Sequence, residues 1–170
     1  MSHSDSVSVI PTKILVPIDF SSSSHQALDA ATEFAEKFRA ELYLLYVIPE
    51  YSSVALPEGV SDEAIIEAAK KSAEEHFEVS LGGLKTKGVK ASAHVEVGSD
   101  VAGTILDAAE REEASLIVIS THGVSGWYPQ VFGSIAEKIV KLAAVPVLLL
   151  RSAKPESTAK VSSGRMMEWW

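Results

Sequence analysis

The chain has 170 residues, of which 46% are hydrophobic and 22% charged, as expected of one soluble globular domain. Its formal net charge of −8 disfavours a general binding surface for nucleic acids or acidic membranes. It has no cysteine, which excludes disulfides, thiolate metal sites and cysteine nucleophiles. The N-terminus lacks the pattern of a secretory signal, and the longest apolar run, Leu142 to Leu150, is too short to span a bilayer. We therefore expect a cytoplasmic protein that does not bind nucleic acids or membranes.

Strand-like and helix-like segments alternate along most of the chain. Residues 1–11 are polar and predict a flexible leader, residues 12–151 predict a single domain, and residues 152–170 predict a linker-like C-terminal tail. Short apolar runs predict five strands, at 13–19, 42–48, 89–97, 115–120 and 145–151. Apolar residues at helical spacing predict four helices, at 22–39, from 61 to an end loosened by Gly82-Gly83 and Gly88, from 99 to about 113, and at 134–143.

This alternation predicts an α/β fold with an open parallel sheet and helices on both faces. The third strand alternates apolar and polar residues, which indicates an edge strand with one wet face. The first, second and fourth strands are apolar throughout, which is typical of central strands. The fifth strand is also apolar but comes last. If it is an edge strand, its unpaired backbone groups must be covered, either by a second copy of the chain or by the C-terminal tail.

The loop after the fourth strand predicts an anion site. It contains Gly123, Gly126 and Gly133, and Gly133-Ser134 stands directly before an amphipathic helix. Backbone N–H groups at a helix start favour negative charge, and glycine lets a ligand approach the backbone closely. Asp19, at the end of the first strand, should lie near this loop and bind ribose hydroxyls or Mg²⁺. An equally common role for such an aspartate is helix capping.

Several other sites are disfavoured. No P-loop motif is present and residues 120–135 contain no lysine, so ATP hydrolysis by P-loop chemistry is not expected. No dinucleotide-binding glycine motif follows the first strand, and the five histidines lack zinc-ligand spacing. The main alternative fold is a phospho-acceptor receiver domain, which is expected to share the five-strand topology. It would need an aspartate after the third strand and a lysine after the fifth, where this chain has Val97-Gly98 and Arg151.

Five segments together resemble the universal stress protein family, in its adenine-nucleotide-binding type, from Lys13 to Arg151. They read ILVPIDFS, LYVIPE, VEVGS, STHGVSGWYPQVFGSIAEKIV and VPVLLLR. The resemblance implies a Rossmann-like sheet in the order 3-2-1-4-5, and ATP or a related adenine nucleotide as ligand, with Mg²⁺ beside Asp19. It also implies a homodimer joined through the fifth strand, at Val145, Pro146, Val147, Leu148, Leu149 and Leu150.

The resemblance further implies a set of nucleotide-binding residues, because ATP-binding members carry the pattern G-x2-G-x9-G-[ST]. In this chain Gly123, Gly133 and Ser134 match the pattern, and Ser120 stands at its first position instead of glycine. The implied site comprises Pro17, Ile18, Asp19, Val47, Ile119, Ser120, His122, Gly123, Gly133, Ser134 and Ile135.

Three functions remain open at this point. The first is a stress-response regulator that binds an adenine nucleotide and has at most slow ATP hydrolysis, since no general base is identifiable. The second is a nucleotide-free protein-interaction module, in which Ser120 and the Trp127-Tyr128-Pro129 insert close the pocket. The third is the phospho-receiver. The residues do not identify a protein partner, and the tail tryptophans Trp169 and Trp170 are expected to be a frayed end.

Overall fold

The computed structural model describes residues 10–50, 61–121 and 133–151. Residues 1–9, 51–60, 122–132 and 152–170 lie outside the described residues. The described part has five strands and four helices: β1 (Lys13–Pro17), α1 (Ser22–Phe38), β2 (Glu41–Pro49), α2 (Asp62–Thr86), β3 (Ala91–Gly98), α3 (Val101–Arg111), β4 (Leu116–Ser120), α4 (Ser134–Leu142) and β5 (Val147–Leu150).

The strands form one parallel sheet in the order β3-β2-β1-β4-β5, which confirms the predicted fold class and order. Leu15 of β1 lies between Tyr43 of β2 and Ile117 of β4, so the apolar first strand is at the centre. The alternating third strand and the last strand are the two edges, as expected. The strand order also corrects the receiver alternative, because receiver domains use the order 2-1-3-4-5 and so do not share this topology.

Successive strand residues point to opposite faces and build two apolar cores. Ile14 and Val16 of β1 face α1 and α2, in a core completed by residues such as Ala31 and Phe77. Leu15 faces the other side, where Ile105 of α3 belongs to the second core together with residues of α4. Both sides of β1 are therefore buried, which explains why its sequence shows no polar alternation.

Helix α2 runs through Gly82-Gly83 and ends at Thr86, so only Gly88 of the predicted glycines stands at its end. Leu84 is 5% exposed, and its packing anchors the last turn despite the low helix propensity of glycine. Two strand boundaries were wrong. Strand β1 ends at Pro17 rather than at residue 19. Strand β5 begins only at Val147, so Val145 and Pro146 precede the strand that was expected to contain them.

The polar face of β3 is partly covered by side chains, although His94 on it remains exposed. Arg111 of α3 donates to Glu96 at 2.5 Å, and the ring of His94 stacks on that of Tyr43 with centroids 4.4 Å apart. Burial raises the pKa of Tyr43, partly offset by its hydrogen bond with Arg111. Polar groups of the edge strand therefore lie beneath α3, and its polar face is only partly exposed to solvent.

No helix among the described residues is both long and apolar enough to cross a lipid bilayer.

Candidate functional site

A cleft of about 420 Å³ opens beyond the carboxyl ends of β1, β2 and β4. In open parallel sheets, ligands bind at this edge where the winding of the chain reverses, here between β1 and β4. Its walls are mostly apolar, with hydroxyl groups at one end. The lining residues are Pro17, Ile18, Asp19, Ser24, Leu45, Tyr46, Val47, Pro49, Val101, Ile105, Ile119, Ser120, Thr121, Gly133, Ser134, Ile135 and Ala136.

The structure brings together around this cleft every predicted nucleotide-binding residue that it describes. These residues come from four separate segments of the chain: Pro17, Ile18, Asp19, Val47, Ile119, Ser120, Gly133, Ser134 and Ile135. The remaining two, His122 and Gly123, lie outside the described residues, as do Gly126 and the Trp127-Tyr128-Pro129 insert. Ser120 is half-buried in the wall of the cleft and does not fill it.

Asp19 takes part in the turn that starts α1 but is not the helix cap. Its Oδ1 accepts hydrogen bonds from the Ser21 backbone N–H at 3.0 Å and from the Ser21 hydroxyl at 2.5 Å. The capping residue is Ser21, whose Oγ accepts from the Ser24 N–H at 3.2 Å. The two roles considered for Asp19 are thus combined, because its carboxylate lines the cleft and also holds the residue that caps α1.

Phe20 has a strained backbone between Asp19 and Ser21. Its φ of 62° lies in the left-handed region, which is unfavourable for a bulky side chain. Its ring centroid lies 5.0 Å from that of Tyr46, 4.9 Å from that of His76 and 5.3 Å from that of Phe77. This packing offsets the strain and fixes the direction in which the chain leaves β1.

Gly133, directly before α4, is hydrogen-bonded to the residue that follows β4. Its N–H donates to the Thr121 carbonyl at 2.9 Å, and a Cβ at this position would lie 3.1 Å from that same oxygen. Gly133 is the N-cap of α4 and has no side chain to accept from the first turn. Helices α1 and α3 are instead capped by Ser21 and Asp100. Helix α4 therefore presents its positive dipole end to the cleft without a capping side chain.

The turn from β3 into α3 forms a second border of the cleft. A Cβ on Gly98 would lie 2.3 Å from Oγ1 of Thr104, so a larger residue at position 98 would require this hydroxyl to move. Asp100 caps α3 by accepting from the Gly103 N–H at 3.1 Å, and it forms an ion pair with Lys138 of α4. The hydrogen bond from Lys138, followed by that from Gly103, lowers the pKa of Asp100. This pair connects α3 to α4.

Sequence reasoning missed part of the cleft wall. Val101 and Ile105 of α3 line it, and Ile105 is 2% exposed. Ser24 and Thr121 add hydroxyl groups, although both residues are largely buried. A sequence signal existed for the helix residues, because Val101 and Ile105 stand one turn apart directly after the Gly98-Ser99-Asp100 turn.

The described residues contain no group of three or more side chains that could hold a metal ion by themselves. Asp19 is a single carboxylate at the edge of the cleft. Mg²⁺ is commonly held by one or two carboxylates together with phosphate oxygens of a ligand. Asp19 fits that arrangement, in which it would contribute one ligand or a nearby charge and the nucleotide would supply the rest.

Comparison with known proteins agrees with this architecture. The sequence model of the universal stress protein family matches residues 11–151. The chain belongs to this family. Among its relatives in the family, Universal stress protein MJ0531 from Methanocaldococcus jannaschii is 36% identical over 145 residues, which are 85% of this chain and 84% of that protein.

Solved structures of universal stress proteins share the fold. The UspA protein from Lactobacillus plantarum has a TM-score of 0.74 and 26% identity, covering 82% of this chain and 97% of that one. A universal stress protein from Archaeoglobus fulgidus, in complex with dAMP, has a TM-score of 0.58 and 26% identity, covering 82% of this chain and 98% of that one.

Proposed function

We propose that this universal stress protein is a stress-response regulator that binds ATP or a related adenine nucleotide in the cleft beyond β1, β2 and β4. The observation that carries the proposal is the convergence of four chain segments on one cleft beside the uncapped start of α4. An apolar slot suits a base, while the hydroxyl groups and helix amides suit ribose and phosphate. The proposal includes the cytoplasmic address expected from the sequence.

Two further observations support an adenine nucleotide. The apolar part of the cleft includes Val47, Ile105 and Ile119, and these side chains can contact the faces of a flat base. The Archaeoglobus fulgidus relative, whose sheet superposes on this one, was solved in complex with dAMP. The site residues carried by the resemblance are therefore proposed here as the nucleotide-binding set, with Asp19 near ribose or a Mg²⁺ ion.

The proposed role is sensing rather than rapid catalysis. Asp19 is the one carboxylate among the described lining residues, and its Oδ1 accepts two hydrogen bonds from Ser21. A carboxylate occupied in this way is a poor general base for activating water. Calorimetric titration with ATP in the presence of Mg²⁺ tests the binding. Heat that saturates at one site per chain supports it, and no heat at millimolar nucleotide contradicts it.

A charge placed in the cleft provides a sharper test. Ile135 and Ile65 are 40% and 38% exposed, and each lies in the first turn of a helix, but only Ile135 lines the cleft. Glutamate should affect the stability of both helices similarly, since the dipole favours it in either first turn. We expect Ile135→Glu to weaken ATP binding by at least about tenfold through repulsion of phosphate.

The control, Ile65→Glu, should bind ATP as the unmodified protein does. Equal binding by both variants would place the nucleotide elsewhere. The alternative, a nucleotide-free interaction module, predicts that purified protein yields no nucleotide after denaturation and extraction and that neither variant changes any titration.

The second part of the proposal is a homodimer formed through β5. Strand β5 is an edge of the sheet, and its four residues are all only half-buried in the single chain. Val140 and Leu142 at the end of α4 are 50% and 60% exposed and belong to the segment that leads into this strand. Pairing with a second copy would cover both the strand edge and these side chains.

A further inference from the structure

For a site proposed to hold a polyphosphate, the described part of the cleft has few charged side chains, and none of them is a lysine or an arginine. Asp19 is the only charged side chain among the described residues that line it. The sequence from Ser120 to Ile135, which includes the part of the loop outside the described residues, contains no lysine or arginine, and its one basic residue is His122. Sites that bind the phosphates of a nucleoside triphosphate commonly use a lysine or arginine side chain in addition to backbone amides.

The nearest cation along the chain is already paired. Lys138 lies one turn after Ser134 on α4, and its Nζ forms an ion pair with Asp100. Asp100 is also the cap of α3, so it is anchored on the border of the cleft beside Val101. The pair is neutral as a whole, and it holds the ammonium group against α3 instead of leaving it for a ligand.

We infer that this cleft selects nucleotides by phosphate charge: it binds a nucleoside monophosphate without a metal ion, and a triphosphate only with a divalent cation. The inference rests on the proposed nucleotide function of the same cleft. The positive end of α4 offers partial charge, which offsets part of the charge of a single phosphate. A triphosphate brings several more negative charges towards the Asp19 carboxylate, and no side-chain cation described here offsets them.

A divalent cation would remove this mismatch. It binds to the phosphate oxygens, reduces the charge of the triphosphate, and is attracted to Asp19 rather than repelled by it. Asp19 therefore acts in opposite directions on the two forms of ATP. It disfavours the metal-free form and favours the form that carries Mg²⁺.

The experiment compares dissociation constants from calorimetry for AMP and ATP, each with Mg²⁺ and with a chelator at low ionic strength, where charge effects are least screened. We expect AMP to bind equally in both conditions. We expect ATP to bind at least about tenfold more weakly with the chelator than with Mg²⁺. Equal affinity of metal-free and Mg²⁺-bound ATP would overturn the inference while leaving the proposed function intact. Binding of neither AMP nor ATP overturns both.

Two variants make the cleft or its border more positive and should relax the selection. Ile135→Lys places a cation on its lip, and Asp100→Asn releases Lys138 while keeping a residue that caps helices well. We expect both to strengthen the binding of metal-free ATP severalfold more than that of AMP. Ile65→Lys, at a similarly exposed position outside the cleft, is the control and should change neither. If Ile135→Lys and Asp100→Asn leave the ratio of ATP to AMP affinities unchanged, phosphate charge does not govern the selection.

Discussion

At the scale of single residues, the start of α1 shows how one hydrogen-bonded turn serves both folding and the cleft. Ser21 caps the helix with its Oγ and donates its backbone N–H and its hydroxyl to Asp19. Asp19 lines the cleft, while Phe20 between them is held in a strained conformation by aromatic packing. Loss of the Ser21 side chain should therefore affect both the stability of the fold and the position of the Asp19 carboxylate.

Two neighbouring serines allow this to be measured. Ser21→Ala should lower the free energy of unfolding by about 1 to 2 kcal/mol, because it removes the cap and one hydrogen bond to Asp19. Ser22→Ala changes an exposed serine in the first turn and should be neutral within about 0.5 kcal/mol. Urea denaturation of the two variants checks this, and equal losses would show that Ser21 does not act as the cap.

The sequence predicted the ingredients of this turn but not their roles. Four consecutive serines are all good capping residues, so the capping position depends on where the helix begins, and sequence periodicity does not define that to one residue. The strained conformation of Phe20 has no sequence signal, since the contacts that hold it come from Tyr46 and from residues on α2 that are distant in sequence.

At the scale of elements, α2 shows tertiary packing overriding local preference. Its glycine pair, Gly82-Gly83, lies on an exposed surface inside the helix, one residue before the buried Leu84. Glycine breaks helices through backbone entropy and not through steric conflict, so one well-anchored side chain beyond it is enough to continue the helix. Leu84 continues the helical spacing of Phe77 and Leu81, and this spacing, rather than the glycines, decides how far the helix runs.

Glycine-to-alanine substitutions distinguish the cost in backbone entropy of a helical glycine from the need for glycine at a positive φ. A Cβ would meet nothing within 4 Å at Gly82, Gly83 or Gly88, but Gly88 has a φ of 73°. Gly82→Ala and Gly83→Ala should each stabilise the protein by about 0.5 to 1 kcal/mol. Gly88→Ala should destabilise it by about 1 to 2 kcal/mol, because alanine is strained in the left-handed region. Thermal unfolding of the three variants checks the signs, and destabilisation by all three would contradict a continuous helix through the pair.

At the scale of the whole molecule, the two edges of the sheet have different surroundings. Strand β3 has polar cover from Arg111 and the Tyr43–His94 stack, whereas β5 is half-buried along its whole length beside exposed apolar residues of α4. The proposed dimer uses the second edge. In β5, the carbonyls of Pro146 and Leu150 accept from the β4 side, so the N–H of Leu149 points to the open edge.

A proline at that edge tests the dimer without disturbing the sheet. Leu149→Pro removes an outward N–H and leaves the bonds between β5 and β4 in place, as proline is tolerated on edge strands. We expect it to convert a dimer into a monomer in sedimentation experiments. Val97→Pro makes the corresponding change on β3, where Gly98 and Lys90 face β2, and should leave the dimer intact. A dimer that survives Leu149→Pro would place the interface elsewhere.

The fold was more predictable than the cleft. Alternation in β3 and unbroken apolar runs in β1, β2 and β4 gave the positions of these strands, because solvent contact determines both pattern and place. The contribution of Val101 and Ile105 could not be obtained in the same way. It depends on how the crossover through α3 packs across the sheet, which is set by long-range contacts and not by the residues around position 101.

Gly98 and Thr104 have a consequence for how this sequence can diverge. The hydroxyl of Thr104 occupies the space that any side chain at position 98 would need, and it also donates to the Asp100 carbonyl at 3.0 Å. A methyl group at position 98 requires Thr104 to rotate away or to be replaced, and either change removes this bond in the first turn of α3. We therefore expect Gly98→Ala to cost less stability in a chain that already carries Thr104→Ala than in the unmodified chain.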